Sequence, residues 1–105
     1  MLKINMEYRK GILFIRLKGE LTRFNYQNFN DYLLSLIEEK GIRFIVLNLS
    51  YLKLIDNYGK DCIRTIISEA KNNNGNCLIC NPKIRFDDTV RIIDNELSAL
   101  NILKI

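Results

Sequence analysis

The sequence predicts an α/β domain on a mostly parallel sheet of four to five strands with an antiparallel N-terminal strand. Three observations carry that prediction. Residues 42–49, Ile-Arg-Phe-Ile-Val-Leu-Asn-Leu, are apolar with almost no alternation, the pattern of a strand covered on both faces. Amphipathic segments with apolar residues at helical spacing lie on either side of that run. The chain also opens with two strand-like segments split at Lys10-Gly11, which read as a hairpin at the edge of a sheet.

Taken in order, residues 2–9 and 11–18 form the hairpin. In its second strand Ile12, Phe14, Ile15 and Leu17 are apolar, and Arg16 and Lys18 point the other way. A helix follows over residues 25–40, with Tyr26, Phe29, Leu33, Leu36 and Ile37 at helical spacing. Asn25 is placed to cap its start, and Gly41 suits the left-handed residue past its end. After the central strand 42–49, residues 50–55 read as a connector. The second helix, 58–72, sets Gly59, Cys62, Ile63, Ile66, Ile67 and Ala70 on one face. Lys60, Asp61, Arg64, Thr65, Ser68 and Lys71 lie on the other. The run Asn72-Asn73-Asn74-Gly75-Asn76 ends it with residues that tolerate left-handed backbone. A strand at 77–80 stops at Asn81-Pro82. Residues 83–89 read as one helical turn or a loop, residues 90–93 as a short strand. A closing helix opens at Asp94-Asn95-Glu96, with Leu97, Leu100 and Leu103 on one face.

At 105 residues the chain is expected to form one domain over 1–105. Its 48% hydrophobic and 27% charged residues are ordinary for a water-soluble domain. No segment reaches the roughly 20 apolar residues that cross a bilayer, and residues 1–7 lack a signal-like apolar stretch. A cytoplasmic location without membrane insertion is expected. The net charge of +4 raises nucleic acid as a partner, but the sixteen Lys and Arg are scattered among twelve carboxylates. No stripe of alternating basic and aromatic residues suits stacked bases, so a solvated surface is expected.

Cys77 and Cys80 form a C-x-x-C. A structural zinc needs four ligands, and the chain offers no histidine and only Cys62 besides. A redox C-x-x-C opens a helix, whereas Cys77-Leu78-Ile79-Cys80 reads as a strand. Buried thiols are expected, with no metal and no cofactor. A working site is expected instead where the central strand delivers the N-terminus of the second helix, at Asp56 to Gly59, beside free backbone N–H groups.

Those residues resemble a known family, the STAS domain (named for sulfate transporters and anti-sigma factor antagonists) in its stand-alone anti-sigma factor antagonist form. Ile15-Arg16-Leu17-Lys18-Gly19-Glu20-Leu21 looks like its second strand with a Gly-Glu-Leu exit. Residues 42–49 look like its central strand, and Leu54-Ile55-Asp56-Asn57-Tyr58-Gly59 takes the place of its Asp-Ser-Ser-Gly signature. The resemblance implies a small sheet with helices mainly on one face. It implies a bacterial, non-catalytic regulator of transcription that binds an anti-sigma factor. In the family that anti-sigma factor is also a kinase, and it phosphorylates a serine of the signature to release the complex.

Carried over by position, Asp56 matches the aspartate and Gly59 the glycine, while Asn57 and Tyr58 replace the serines. No phosphoacceptor serine remains, and the Tyr58 hydroxyl stands several ångströms farther from the backbone than a serine's would. Asn57 is expected to cap the helix in its place. Thr22 replaces an aspartate common in the family, and the segment after Pro82 is shorter than the family's. The expected partner surface is therefore Asp56, Asn57, Tyr58, Gly59, Lys60 and Asp61, with Leu21, Thr22, Arg23 and Phe24 from the first loop. Tyr58 either anchors a partner or packs back on Phe24 or Leu54. Two other readings stand beside this one: an accessory subunit binding a transporter ATPase, and a weak nucleotide- or anion-binding domain.

Overall fold

The computed structural model describes residues 1–82, 86 and 90–103. Its elements run β1 (Leu2–Arg9), β2 (Ile12–Leu21), α1 (Tyr26–Lys40), β3 (Phe44–Ile55), α2 (Asn57–Asn72), β4 (Asn76–Cys80), β5 (Ile92–Ile93) and α3 (Glu96–Ile102). The five strands pair in chain order. β1 is antiparallel to β2, and every later pairing is parallel. Lys10 and Gly11 both take positive φ (53° and 82°), the backbone of a two-residue turn whose twist suits a hairpin.

The sheet separates two apolar layers. Leu13, Ile15 and Leu17 of β2 pack with Ile45 and Leu47 of β3 under α1 and α2, where Phe29, Leu33, Ile63 and Ile66 are buried. Ile12, Phe14, Val46, Leu78 and Cys80 pack on the opposite face against Ala99 of α3 and Leu103 just beyond it. Thus two helices cover one face and a short third covers part of the other. All six residues placed on the inner face of the second helix are buried, each buried isoleucine contributing about 2 kcal/mol relative to exposure.

Five expectations need correction. β2 is buried on both faces from Ile12 to Ile15, because α3 packs on the side where only charge was expected. Residues 50–55 are not a connector but the second half of β3, which is 12 residues long. Asn25 precedes α1 without capping it: its Oδ1 accepts from Thr22 N–H (2.9 Å) and its Nδ2 donates to Glu20 C=O (2.9 Å), which ties the loop back to β2. The last strand is confined to Ile92–Ile93, and Val90 joins the core under α1 and α2. On α3, Leu97 is 69% exposed and Ala99 takes the buried position. The expected turn or loop at 83–89 lies outside the described residues, apart from Phe86, which is buried.

The three cysteines are free and buried. Cys77 belongs to one apolar layer and Cys80 to the other, as a three-residue step along a strand requires. Burial pushes the Cys62 and Cys77 thiols up to about 12.

Candidate functional site

The site is assembled by the register of β2 on β3. Shifts between Arg16 and Lys18 and between Gly19 and Glu20, where Gly19 has φ of 106°, carry the pairing out to Leu21 opposite Ile55. Both strands therefore end side by side. The loop after β2 and the start of α2 emerge next to each other.

Asp56 joins them. Its Oδ1 accepts from Gly59 N–H (2.9 Å), and its Oδ2 accepts from Arg23 N–H (2.9 Å) across 33 positions of chain. Its own N–H donates to Leu21 C=O at 3.3 Å. Asp56, with extended backbone, is thus the N-cap of α2, and Asn57 is the first helical residue rather than the cap that was expected. Partial desolvation works against its charge. The N–H groups of Gly59, Arg23, Tyr58 and Asp56 itself outweigh this and hold the carboxyl below its ordinary range. A carboxylate of the chain itself therefore fills the position that a bound anion would take at this helix end.

Gly59 is buried, and a Cβ there would run into the carbonyl oxygen of Leu21 and the side chain of Ile55. A glycine at this point lets the first turn of α2 lie directly on the end of β2. The first loop is equally determined. Thr22 is nearly buried, and its Oγ1 accepts from Phe24 N–H (3.3 Å) while its C=O accepts from Tyr26 N–H (2.9 Å). This threonine serves as a turn residue in a loop already carrying the Asp56 carboxylate.

Three apolar side chains stand out from this scaffold. Phe24 is 82% exposed, with the Arg23 guanidinium 4.7 Å from its ring centre. Leu54 and Tyr58 are about half exposed. The Tyr58 ring lies 5.6 Å from that of Tyr26, tilted by 35°, so it rests on a ring from the first turn of α1. Tyr26, expected on the core face of α1, does pack against the core, and its first-turn position also brings its ring to the site. Lys60 N–H donates to Asp56 C=O (3.0 Å) in the first turn of α2, and Asp61 pairs with Arg64 at 2.9 Å on its outer face. Of the hydroxyls flanking this segment in the chain, Ser50 donates to Asn48 Oδ1 (2.6 Å) and Thr65 to Asp61 C=O (3.0 Å).

No group of three or more metal-ligating side chains occurs among the described residues. No helix among them is long and apolar enough to cross a membrane. The sequence matches the family model described as the STAS domain over residues 3–100. It is 29% identical over 113 aligned positions to an anti-sigma F factor antagonist of Paenibacillus polymyxa, covering 99% of this chain and 97% of that one. The fold is similar to that of SpoIIAA, an anti-sigma factor antagonist in its unphosphorylated form, at 19% identity. The TM-score is 0.82, with 97% of this chain and 98% of that chain covered. An anti-sigma factor antagonist from Mycobacterium paratuberculosis, 13% identical, superposes with a TM-score of 0.84 over 100% of this chain and 96% of that one. A family match that spans nearly the whole length, on a sheet with the same architecture, means that this chain belongs to the STAS domain family.

Proposed function

We propose that this protein is a non-catalytic regulatory module of the anti-sigma-antagonist kind, which binds an anti-sigma factor and is not switched by serine phosphorylation. One observation carries the reading. The Asp56 carboxylate clamps the β2–α1 loop to the start of α2, fixing two segments into one surface that presents Phe24, Leu54 and Tyr58. Exposed aromatic side chains on a rigid scaffold suit protein recognition. The name of the Paenibacillus relative supports the partner class, and a cytoplasmic location goes with that reading.

The switch is lost because the chemistry at its position has changed. A phosphate on a serine beside a helix N-terminus adds about two negative charges at the docking surface. Here Asn57 offers no hydroxyl, and the Tyr58 hydroxyl extends beyond a ring that rests on Tyr26.

Calorimetric titration against the anti-sigma factor of the same organism tests the reading. Tyr58→Ala and Phe24→Ala are each expected to weaken binding about tenfold or more. Incubation with that partner and ATP should leave residues 56–59 unmodified by mass spectrometry. Undiminished binding in both variants, or a phosphate on Tyr58, would sink the proposal.

A further inference from the structure

The outer edge of β1 is the largest unpartnered backbone surface among the described residues. β1 runs for eight residues and pairs with β2 alone, leaving its other side without a strand. Open edges of this length attract another strand unless charge or a bulge prevents it. Apolar surface is concentrated beside this edge. Met1 is 92%, Tyr8 61%, Tyr32 51% and Ile4 39% exposed. A groove of about 400 Å³ runs between β1 and α1, lined by Met1, Leu2, Ile4, Phe29 and Tyr32.

The charge pattern of the strand identifies the occupant. Lys3, Asn5, Glu7 and Arg9 alternate along one face of β1, and Leu2, Ile4, Met6 and Tyr8 along the other. Around Asn5 the first set reads positive, neutral, negative. A two-fold rotation about that residue lays each strand antiparallel on its copy and sets Lys3 opposite the partner's Glu7, twice. The same rotation sets Leu2 opposite the partner's Tyr8 and Ile4 opposite the partner's Met6, so the apolar face also matches itself. Centring the pair on Met6 would oppose Lys3 to the partner's Arg9, and centring it on Glu7 would oppose two carboxylates. Like charges directly opposite one another destabilise a strand pair.

We infer that a second copy of this chain covers this edge, pairing β1 with β1 about a two-fold axis at Asn5 to form one continuous sheet across the dimer. Such an interface is isologous and closed, so it ends at two copies. Glu7 already accepts from Arg9 and Arg16 (3.1 Å each), which holds the carboxylate on the face where the partner's lysine arrives. The edge shares no residue with the surface proposed for the anti-sigma factor.

Sedimentation equilibrium on the intact chain, from about 1 µM to about 1 mM, tests this inference. A monomer–dimer equilibrium is expected for the unchanged protein. Lys3→Glu would place carboxylates opposite each other twice and weaken association about tenfold or more. In the monomer the same change replaces a lysine that faces Lys18 across the hairpin, so folding is not at risk. Asn5→Asp keeps an acceptor for Arg16, now at 2.8 Å, and opposes two carboxylates only at this axis. It too should weaken the dimer at neutral pH. A monomer at every concentration, or a dimer indifferent to either substitution, overturns the inference.

Discussion

Gly59 shows how one residue can hold a site together by being absent. Alanine is the better helix former by about 1 kcal/mol, so propensity alone favours Gly59→Ala. The added methyl would meet the backbone of Leu21, which cannot move without disturbing its pairing with Ile55. Overpacking of this kind costs about 1–3 kcal/mol, and the second effect wins. Urea unfolding should show Gly59→Ala less stable by about 1–2 kcal/mol. An equal or greater stability would mean that the turn has slack. The sequence marked Asp56 and Gly59 by position within a motif. It could not tell that Asp56, not Asn57, caps the helix, because both residue types do so equally well. The deciding contact comes from Arg23, far away in the chain.

At the scale of elements, legibility followed periodicity. The two faces of α2 are legible because its apolar residues keep a helical period over the whole length. β3 extends beyond the apolar run that marks it. Its second half shifts from the unbroken apolar run to alternation, with Leu52 buried between exposed Tyr51 and Lys53, since no helix covers that side. That alternation was present in the sequence and is the strand signal. The pairing that carries it past Gly19 depends on irregular register, which no local pattern discloses. β4 illustrates the opposite case, where a motif misleads and the strand period corrects it. Its C-x-x-C thiols face different layers, and burial raises Cys77 to about 12 and Cys80 above its ordinary value. A thiol reagent should therefore react slowly with the native protein and fully after unfolding, because the thiolate is the nucleophile. A cysteine that reacts rapidly in the native state would contradict the buried assignment of β4 and α2.

Across the whole molecule, the feature hardest to read from sequence is the polar cluster that fastens α3 to the sheet. Arg16 of β2 donates to both carboxylate oxygens of Glu96 (2.7 and 2.9 Å), to Glu7 of β1 (3.1 Å) and to Asn5 (2.8 Å). Asn48 of β3 donates to Glu96 at 2.8 Å. Glu96, held by Arg16 and Asn48, thus links the hairpin, the central strand and the last helix over 80 positions of sequence, a relation invisible to local pattern. α3 is short and Leu97 is exposed, so this fastening adds to the apolar contact of Ala99, Leu100, Ile102 and Leu103. The hydrogen bond from Arg16, joined by that from Asn48, holds the Glu96 carboxyl below its ordinary range despite partial desolvation. A carboxyl whose folded value is depressed stabilises the fold above its unfolded value, near about 4.3, and loses that contribution as pH falls through the folded value. Glu96→Gln should therefore cost about 1–2 kcal/mol at pH 7, the scale of a charge-assisted hydrogen bond that is partly exposed. The gap between the two proteins should narrow steadily below about pH 4, since protonation gives the native chain the same neutral side chain that the variant carries throughout. Comparing the two chains removes the parallel acid loss from Asp56, which is common to both. A stability gap of equal size at pH 3 and pH 7 would show that Glu96 acts by shape and packing, and that the charge adds nothing to the apolar contact of Ala99, Leu100, Ile102 and Leu103.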